Sequence, residues 1–439
     1  MRAVADSVLY ACPGAKGVRI LVAGGGIGGL SLALSLHAAG LNDVDVFEAA
    51  PSFEELGVGI NVLPHAVREL TELGLADGLG AAGVATSEFA MFNKHGQRVW
   101  SEPRGLVAGY RWPQYSIHRG RLLGILHRAF VERLGEERLH TGRRVVACSQ
   151  DAASVTVDFG DQTTATGDIL VGADGVHSAL RTQAYPDEGA PLWNGITMWR
   201  AVAKARPFLS GTTMVIVGHF GKRAVVYPIT LAGDDGNALI NVVLEAATDE
   251  GKPMPPQDWS HAVDSDAVQG LFGTMRYDWL DIAMLIESAE QWWQYPMVDR
   301  DPLPRWSDGR MTLLGDAAHP MYPVGANGAS QAILDARTLA RALSLAPTIR
   351  AALGTYEADR RPATAAVVLA NRHVGAEQCL ELVEARAPEG FQRIEDVFAP
   401  GELEALSSEY KRTAGFDPAT LNQRPSLSVT PATRPVIDR

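Results

Sequence analysis

Three short stretches of this 439-residue chain hold glycines and acids at spacings that could do chemistry. The first is Gly24-Gly25-Gly26-Ile27-Gly28-Gly29, in which Gly24, Gly26 and Gly29 satisfy the pattern GxGxxG. Gly24 permits a tight turn, Gly26 lets the backbone approach a pyrophosphate, and Gly29 allows a helix to pack closely on a strand. Ile27 and Gly28 lie at the start of that helix, where free N–H groups favour phosphate oxygens. Glu48 follows at a strand end, 19 residues after Gly29, placed to accept hydrogen bonds from a ribose. A bare glycine pattern is weak. A preceding strand, a following helix and this carboxylate make nucleotide binding the expectation, since a merely glycine-rich turn leaves Glu48 unexplained.

The second and third stretches are ILVGADGVHSALR at 169–181 and LLGDAAHPMYPVGANGASQAILDA at 313–336. Each joins an apolar strand to an aspartate beside a glycine, Asp174 in one and Gly315-Asp316 in the other. Asp is common in turns, so Asp316 as a cap and Asp174 as a turn brace are the plain structural alternatives. Arg119, in SIHRGRL, could likewise be a surface ion-pair partner. His319 could be an acid or base, or belong to the turn that holds it.

The surrounding pattern says which elements must position these residues. VRILVAG at 18–24 reads as a buried strand, 27–39 as a helix closed by Gly40, and 44–48 as the next strand. Residues 195–245 change to β-rich segments broken by Gly, Pro and Asp, as a sheet inserted into the nucleotide fold would. Residues 326–345 and 350–387 read as helices. The fold class expected is α/β: a Rossmann-like nucleotide-binding domain (17–86, 114–184 and 296–353) with an inserted mixed β-sheet substrate domain (87–113 and 185–295). C-terminal helices at 354–411 and a tail at 412–439 follow, and residues 1–16 are expected to be disordered or extended.

Composition narrows the function classes. A net charge of -12 argues against a nucleic-acid footprint and an anionic membrane surface. No apolar run is long enough to span a bilayer. Cys12, Cys148 and Cys379 are dispersed, which suggests neither a metal site nor a disulfide framework and fits a cytoplasmic protein. Leu9-Tyr10-Ala11-Cys12 faintly resembles a lipoprotein cleavage site, but Asp6 interrupts the short apolar stretch before it.

Together the three motifs resemble the p-hydroxybenzoate hydroxylase class of single-component FAD monooxygenases, over roughly residues 17–375. The resemblance implies FAD as cofactor, NADH or NADPH as transient reductant, and oxygen transfer from a C4a-hydroperoxide to a small aromatic. It assigns Asp316 to the ribityl chain, Asp174 to the pyrophosphate and nicotinamide region, Arg119 to the FAD phosphates and ribityl chain, and Gly59 and Ile60 to the flavin. Gly325, Ala326, Asn327 and Gly328 would form the loop and helix start that stabilise the anionic reduced flavin. Pro320, Gly325, Asn327 and Gly328 are then the expected catalytic positions, with Trp199, Tyr227, Pro320, Met321 and Tyr322 as substrate contacts. The stretches GVGIN, VWSEPRG, PQYSIHRG, GITMWR and QYPMVDRDPLP are similar to members that hydroxylate phenazine carboxylates, some with loss of the carboxylate. The similarity loosens at 209–290 and after about 376. That leaves other bicyclic aromatics or phenols (salicylate-, quinoline- or polyketide-type) open as substrates, and flavin reductase or halogenase as other chemistries. Either a monomer or a homodimer is compatible with the sequence.

Overall fold

All four residues of Ile20–Ala23 are apolar and wholly buried, so this strand needs partners on both edges and cover on both faces. In the computed structural model, which describes residues 17–53, 57–248, 253–258, 261–373 and 375–429, it has both. Val44–Phe47 pairs with it in parallel on one side and Ile169–Gly172 on the other. Met311–Leu313 extends the sheet in parallel beyond Ile169–Gly172, Leu139–His140 closes the far edge, and Ser307–Asp308 adds an antiparallel edge strand. The strands that precede the three motifs are therefore adjacent and parallel. Gly24, Asp174 and Asp316 leave the sheet at the same edge, where ligands bind in open α/β sheets. Helix Ile27–Ala38 follows the glycine turn, ends at Gly40 with φ 83°, and packs against Gly328–Leu345.

A second, eight-stranded sheet draws on two separate segments, Glu88–Phe92 with Arg98–Pro103 and the strands between 192 and 299. Its pairs are antiparallel except Thr213–His219 with Glu88–Phe92, which makes it mixed. Helices Ser265–Phe272 and Ile282–Ser288 cover one face and form a core with Trp199, Val242 and Leu244. The opposite face looks toward the motifs. A domain boundary at 295/296 would cut through Trp292–Asp299, which belongs wholly to this sheet.

The C-terminal part differs from expectation twice. The helix expected over 350–387 is two, Ile349–Arg372 and Gln378–Arg386, with a short turn at Gly375–Glu377. Residues 412–429, expected as a tail, are packed: helix Pro418–Gln423 follows Glu402–Thr413, and Phe416 and Leu421 are buried. Tyr110 Oη donates to Phe416 O at 2.7 Å and Arg424 pairs with Glu69 at 2.6 Å. Tertiary anchors hold this segment, and a stretch so short shows no periodicity. Residues 1–16 and 430–439 lie outside the described residues.

Truncation after residue 411 is therefore expected to lower the melting temperature by several degrees, since burying one large apolar side chain is worth about 2–5 kcal/mol. Thermal unfolding of the truncated and full chains checks this; equal midpoints would restore the tail.

Candidate active site

Where Ile20–Ala23 ends, the backbone must reverse within a few residues to start a helix. Gly24 does this at φ 104°, in a space where a Cβ would lie 2.3 Å from Ala173 O. A Cβ at Gly26 would meet nothing within 4 Å, so that side of the turn is open. It opens on a cavity of about 220 Å3 lined also by Glu48, Arg144, Asp174 and His177. Glu48 accepts from Gly25 N at 2.7 Å and from Ala50 N at 2.8 Å, which aims its carboxylate while leaving lone pairs spare. Ile27 is buried in the core, and Gly28 and Gly29 pack against Leu314 and the Gly24 carbonyl, so these three shape the turn without lining the cavity.

Asp174 lines this cavity and also touches the helix that follows it. Oδ2 accepts from Ala179 N at 2.9 Å and braces the helix start. Oδ1 is enclosed and has no hydrogen-bond partner among the described residues, and burial pushes the carboxyl pKa up. Arg144 stands in a loop with no pattern around it, and His177 lies inside the 169–181 motif, where neither spacing nor residue type singles it out.

At the end of Met311–Leu313, Asp316 opens onto a second cavity of about 210 Å3. Asp316 is exposed to that cavity; desolvation by the surrounding protein raises its pKa, while His319 and Arg119 pull it down. It accepts no hydrogen bond from the described residues. Arg119 starts helix Arg119–Leu134, donates its backbone N–H to Val58 O at 2.9 Å, and has no ion-pair partner among the described residues. His319 is buried, with Nε2 2.5 Å from Asp335 Oδ2, and does not line the cavity. It belongs to the turn.

The loop at 323–328 is built tightly. Gly325 has φ 65°, and a Cβ there would lie 2.1 Å from Tyr410 Oη. Ala326 shares the left-handed conformation at φ 55°. Gly325, Ala326 and Gly328 line the cavity with Gly59 and Ile60. Asn327, expected at the flavin, is wholly buried on the other side. Its Nδ2 donates to Gly325 O at 3.2 Å and Tyr410 Oη at 2.9 Å, so its side chain holds the loop's shape. Glu377 accepts from Gly325 N at 3.3 Å and lies 2.8 Å from Arg223, which donates to Glu245 at 2.7 Å.

Strand alternation decides the remaining wall. Met198 and Arg200 of Leu192–Ala205 face the cavity, as do Arg223, Val225 and Tyr227 of Lys222–Pro228 and Val243 and Glu245 of Ala238–Ala247. Trp199 points to the opposite face and meets Phe272 edge-on, so it is core. Met321 lines the cavity. Pro320 and Tyr322 do not: both are buried behind the loop, and Tyr322, hydrogen-bonded to Asp299, has its phenol pushed up to about 12, burial being the main cause.

These features suit a cofactor with a pyrophosphate at one end and a polyol and flat ring at the other. Gly26 leaves the cradle open, Asp174 Oδ1 is a buried oxygen that no described protein donor satisfies, Asp316 is exposed to the cavity, and the N-terminus of Gly328–Leu345 faces it. Comparison with known proteins agrees. A family model described as FAD binding domain matches residues 17–371. The chain is 44% identical to phenazine 1,6-dicarboxylic acid hydroxylase PhzS of Lysobacter antibioticus, over 80% of this chain and 89% of that protein. It is 34% identical to 3-hydroxybenzoate 6-hydroxylase 1 of Aquipseudomonas alcaligenes, over 81% and 88%. Among solved structures, a Klebsiella pneumoniae HpxO variant complexed with FAD aligns with TM-score 0.74 and 25% identity, over 92% of this chain and all of that one.

Because the folded pKa of Asp316 is raised, its carboxylate form destabilises the FAD-free fold above the folded pKa, and the penalty vanishes below the unfolded value near 4. Asp316→Asn is thus expected to raise the melting temperature of FAD-free protein at pH 8 and to do so much less at pH 4, while weakening FAD roughly tenfold or more. Thermal scans at both pH values and a fluorescence titration with FAD check the two halves; an FAD affinity that survives would remove Asp316 from the ribityl position.

Proposed function

This chain belongs to the FAD binding domain family and is an FAD-dependent aromatic monooxygenase, and from that premise we propose that it hydroxylates a fused-ring aromatic carboxylate of the phenazine type. NADH or NADPH is the reductant and dioxygen the oxidant. One observation carries the reading: Asp316, Gly325 and Gly328 face the same cavity as Met198, Met214, Val225, Val243 and Met321. A group that activates oxygen and an apolar ring can therefore share one space. The similarity to a phenazine dicarboxylic acid hydroxylase supports the fused ring and the acid.

Gly24, Gly26, Glu48 and Asp174 would hold the nucleotide half of FAD, Asp316 and Arg119 its ribityl and phosphate region, and the 325–328 loop its ring. When bound, FAD supplies acceptance of hydride and delivery of one oxygen atom from dioxygen to an aromatic carbon. The protein does the rest. Methionines and valines exclude water and seat the ring. The N-terminus of Gly328–Leu345, equivalent to roughly half a positive charge, favours negative charge facing it. Burial, the largest influence on Tyr227, raises its phenol well above its ordinary value. Tyr227 therefore keeps its proton near neutral pH and can donate a hydrogen bond to a substrate oxygen.

Hydroxylation with loss of the carboxylate belongs to the same reading, as do a cytoplasmic location and a monomeric or homodimeric state. No described helix is long and apolar enough to cross a membrane.

The test is turnover under 18O2 with phenazine-1-carboxylate, a quinoline, a naphthoate and salicylate, measuring nicotinamide consumption and product mass together. Label in a fused-ring product, coupled to nicotinamide use, is expected. Nicotinamide consumed with peroxide as the sole oxygen product across the panel would point to a reductase instead.

A further inference from the structure

Arg200 lies in the middle of Leu192–Ala205 and lines the same cavity as Met198, Met214, Val225, Val243 and Met321. The polar contacts it makes are to neutral groups: Nη1 donates to Tyr295 Oη at 2.5 Å and Nη2 to Gly59 O at 3.0 Å. No carboxylate lies within ion-pair distance of it among the described residues. Glu245, whose charge acts on Arg200 from the neighbouring strand, is committed to Arg223 at 2.7 Å, and Arg223 also carries Glu377 at 2.8 Å. Asp316, elsewhere in the wall, interacts with Arg119 and His319. The cavity therefore holds one guanidinium saturated by two carboxylates and a second with none.

That asymmetry has a chemical meaning. Arginine keeps its charge under all ordinary conditions, and a buried charge without a counter-ion is costly. Nη1 and Nη2 of Arg200 each retain a second proton after their present bonds, and a planar fork of donors matches a carboxylate. The Tyr295 and Gly59 contacts fix the plane of that fork. Gly59 is itself held from the other side, its N–H donating to Asn241 Oδ1 at 2.6 Å. The fork is rigid before any ligand arrives.

We propose that Arg200 is a specificity-determining residue that pairs with the carboxylate of the aromatic substrate and so sets which end of the ring system meets the flavin loop. This rests on the reading that the cavity receives an aromatic substrate.

The test uses FAD-loaded protein with oxidised flavin and no reductant, so that binding is read from the shift in flavin absorbance without turnover. The probes are phenazine-1-carboxylate against phenazine-1-carboxamide, and 1-naphthoate against 1-naphthamide. Wild type is expected to bind each acid roughly tenfold or more tightly than its amide. In Arg200→Gln the preference should fall to within about threefold, through loss of acid binding with amide binding and FAD content unchanged. An acid preference that survives in Arg200→Gln overturns the proposal, as does a variant that folds but loses FAD, which would assign the arginine to the cofactor. Should Arg200→Gln fail to fold, the wild-type ratio still decides, because equal binding of acid and amide is incompatible with the assignment. Acid preference without 18O in any product would remove the monooxygenase reading and leave the Arg200 assignment standing; labelled product with no acid preference would do the reverse.

Discussion

Asp335 has no exposed surface, and a buried carboxylate costs several kcal/mol unless it is paired. Its partners come from different parts of the chain. Arg360 Nε donates to Oδ1 at 2.7 Å, while His319 Nε2 and Gly315 N lie 2.5 and 3.1 Å from Oδ2. Burial pushes the pKa of Asp335 up, but interaction with His319 and Arg360 outweighs it and holds the carboxyl below its ordinary value. The Gly315–His319 turn therefore cannot shift relative to helices Gly328–Leu345 and Ile349–Arg372 without leaving charge unpaired in the core. Between Gly315 and His319 sits Asp316, whose direction into the cavity follows from this anchor.

The same network extends to the loop that closes the site. Arg360 Nη2 donates to Gln331 Oε1 at 2.6 Å, and Gln331 Nε2 reaches Asn327 Oδ1 at 3.3 Å and Ala414 O at 3.1 Å. Asn327 then meets Tyr410, whose hydroxyl lies 2.8 Å from Asn371 Oδ1. These bonds hold Gly325 and Ala326 in the left-handed conformation, which costs an alanine about 1–2 kcal/mol. Tyr410 and Ala414, from the C-terminal helices, thus support the 325–328 loop from behind, while the inserted sheet forms the cavity's opposite wall. Glu377 joins the two, reaching Arg223 on the sheet and Gly325 in the loop.

What could be read from sequence was what local backbone chemistry dictates. Glycines at 24 and 26, and acids at 174 and 316 just after apolar strands, announce a nucleotide edge because each requirement lies within a few residues of its neighbour. The wall was not legible in this way. In GITMWR the strand is clear, but Trp199 and Arg200 point to opposite faces and both are largely enclosed, so hydrophobicity favours the wrong one for the cavity. Parity depends on which side Phe272 packs, a tertiary fact. Phe416 and Leu421 looked like parts of a tail because their anchors, Tyr110 and Glu69 among them, are distant in sequence. The turn at Gly375–Glu377 is marked in the sequence by one glycine inside a long helical stretch, and it brings Glu377 into the wall.

Asp335 lines neither cavity, so any effect of removing its charge on cofactor binding must pass through the turn and loop it anchors. The decisive measurement is the FAD dissociation constant of Asp335→Asn, with Arg360→Gln as a milder cut, by flavin fluorescence on protein shown by circular dichroism to be folded. Weakening by roughly tenfold or more in a folded variant is expected for the loss of one charged hydrogen-bond anchor. A folded Asp335→Asn protein that binds FAD as tightly as wild type would contradict the dependence of the site on this buried carboxylate.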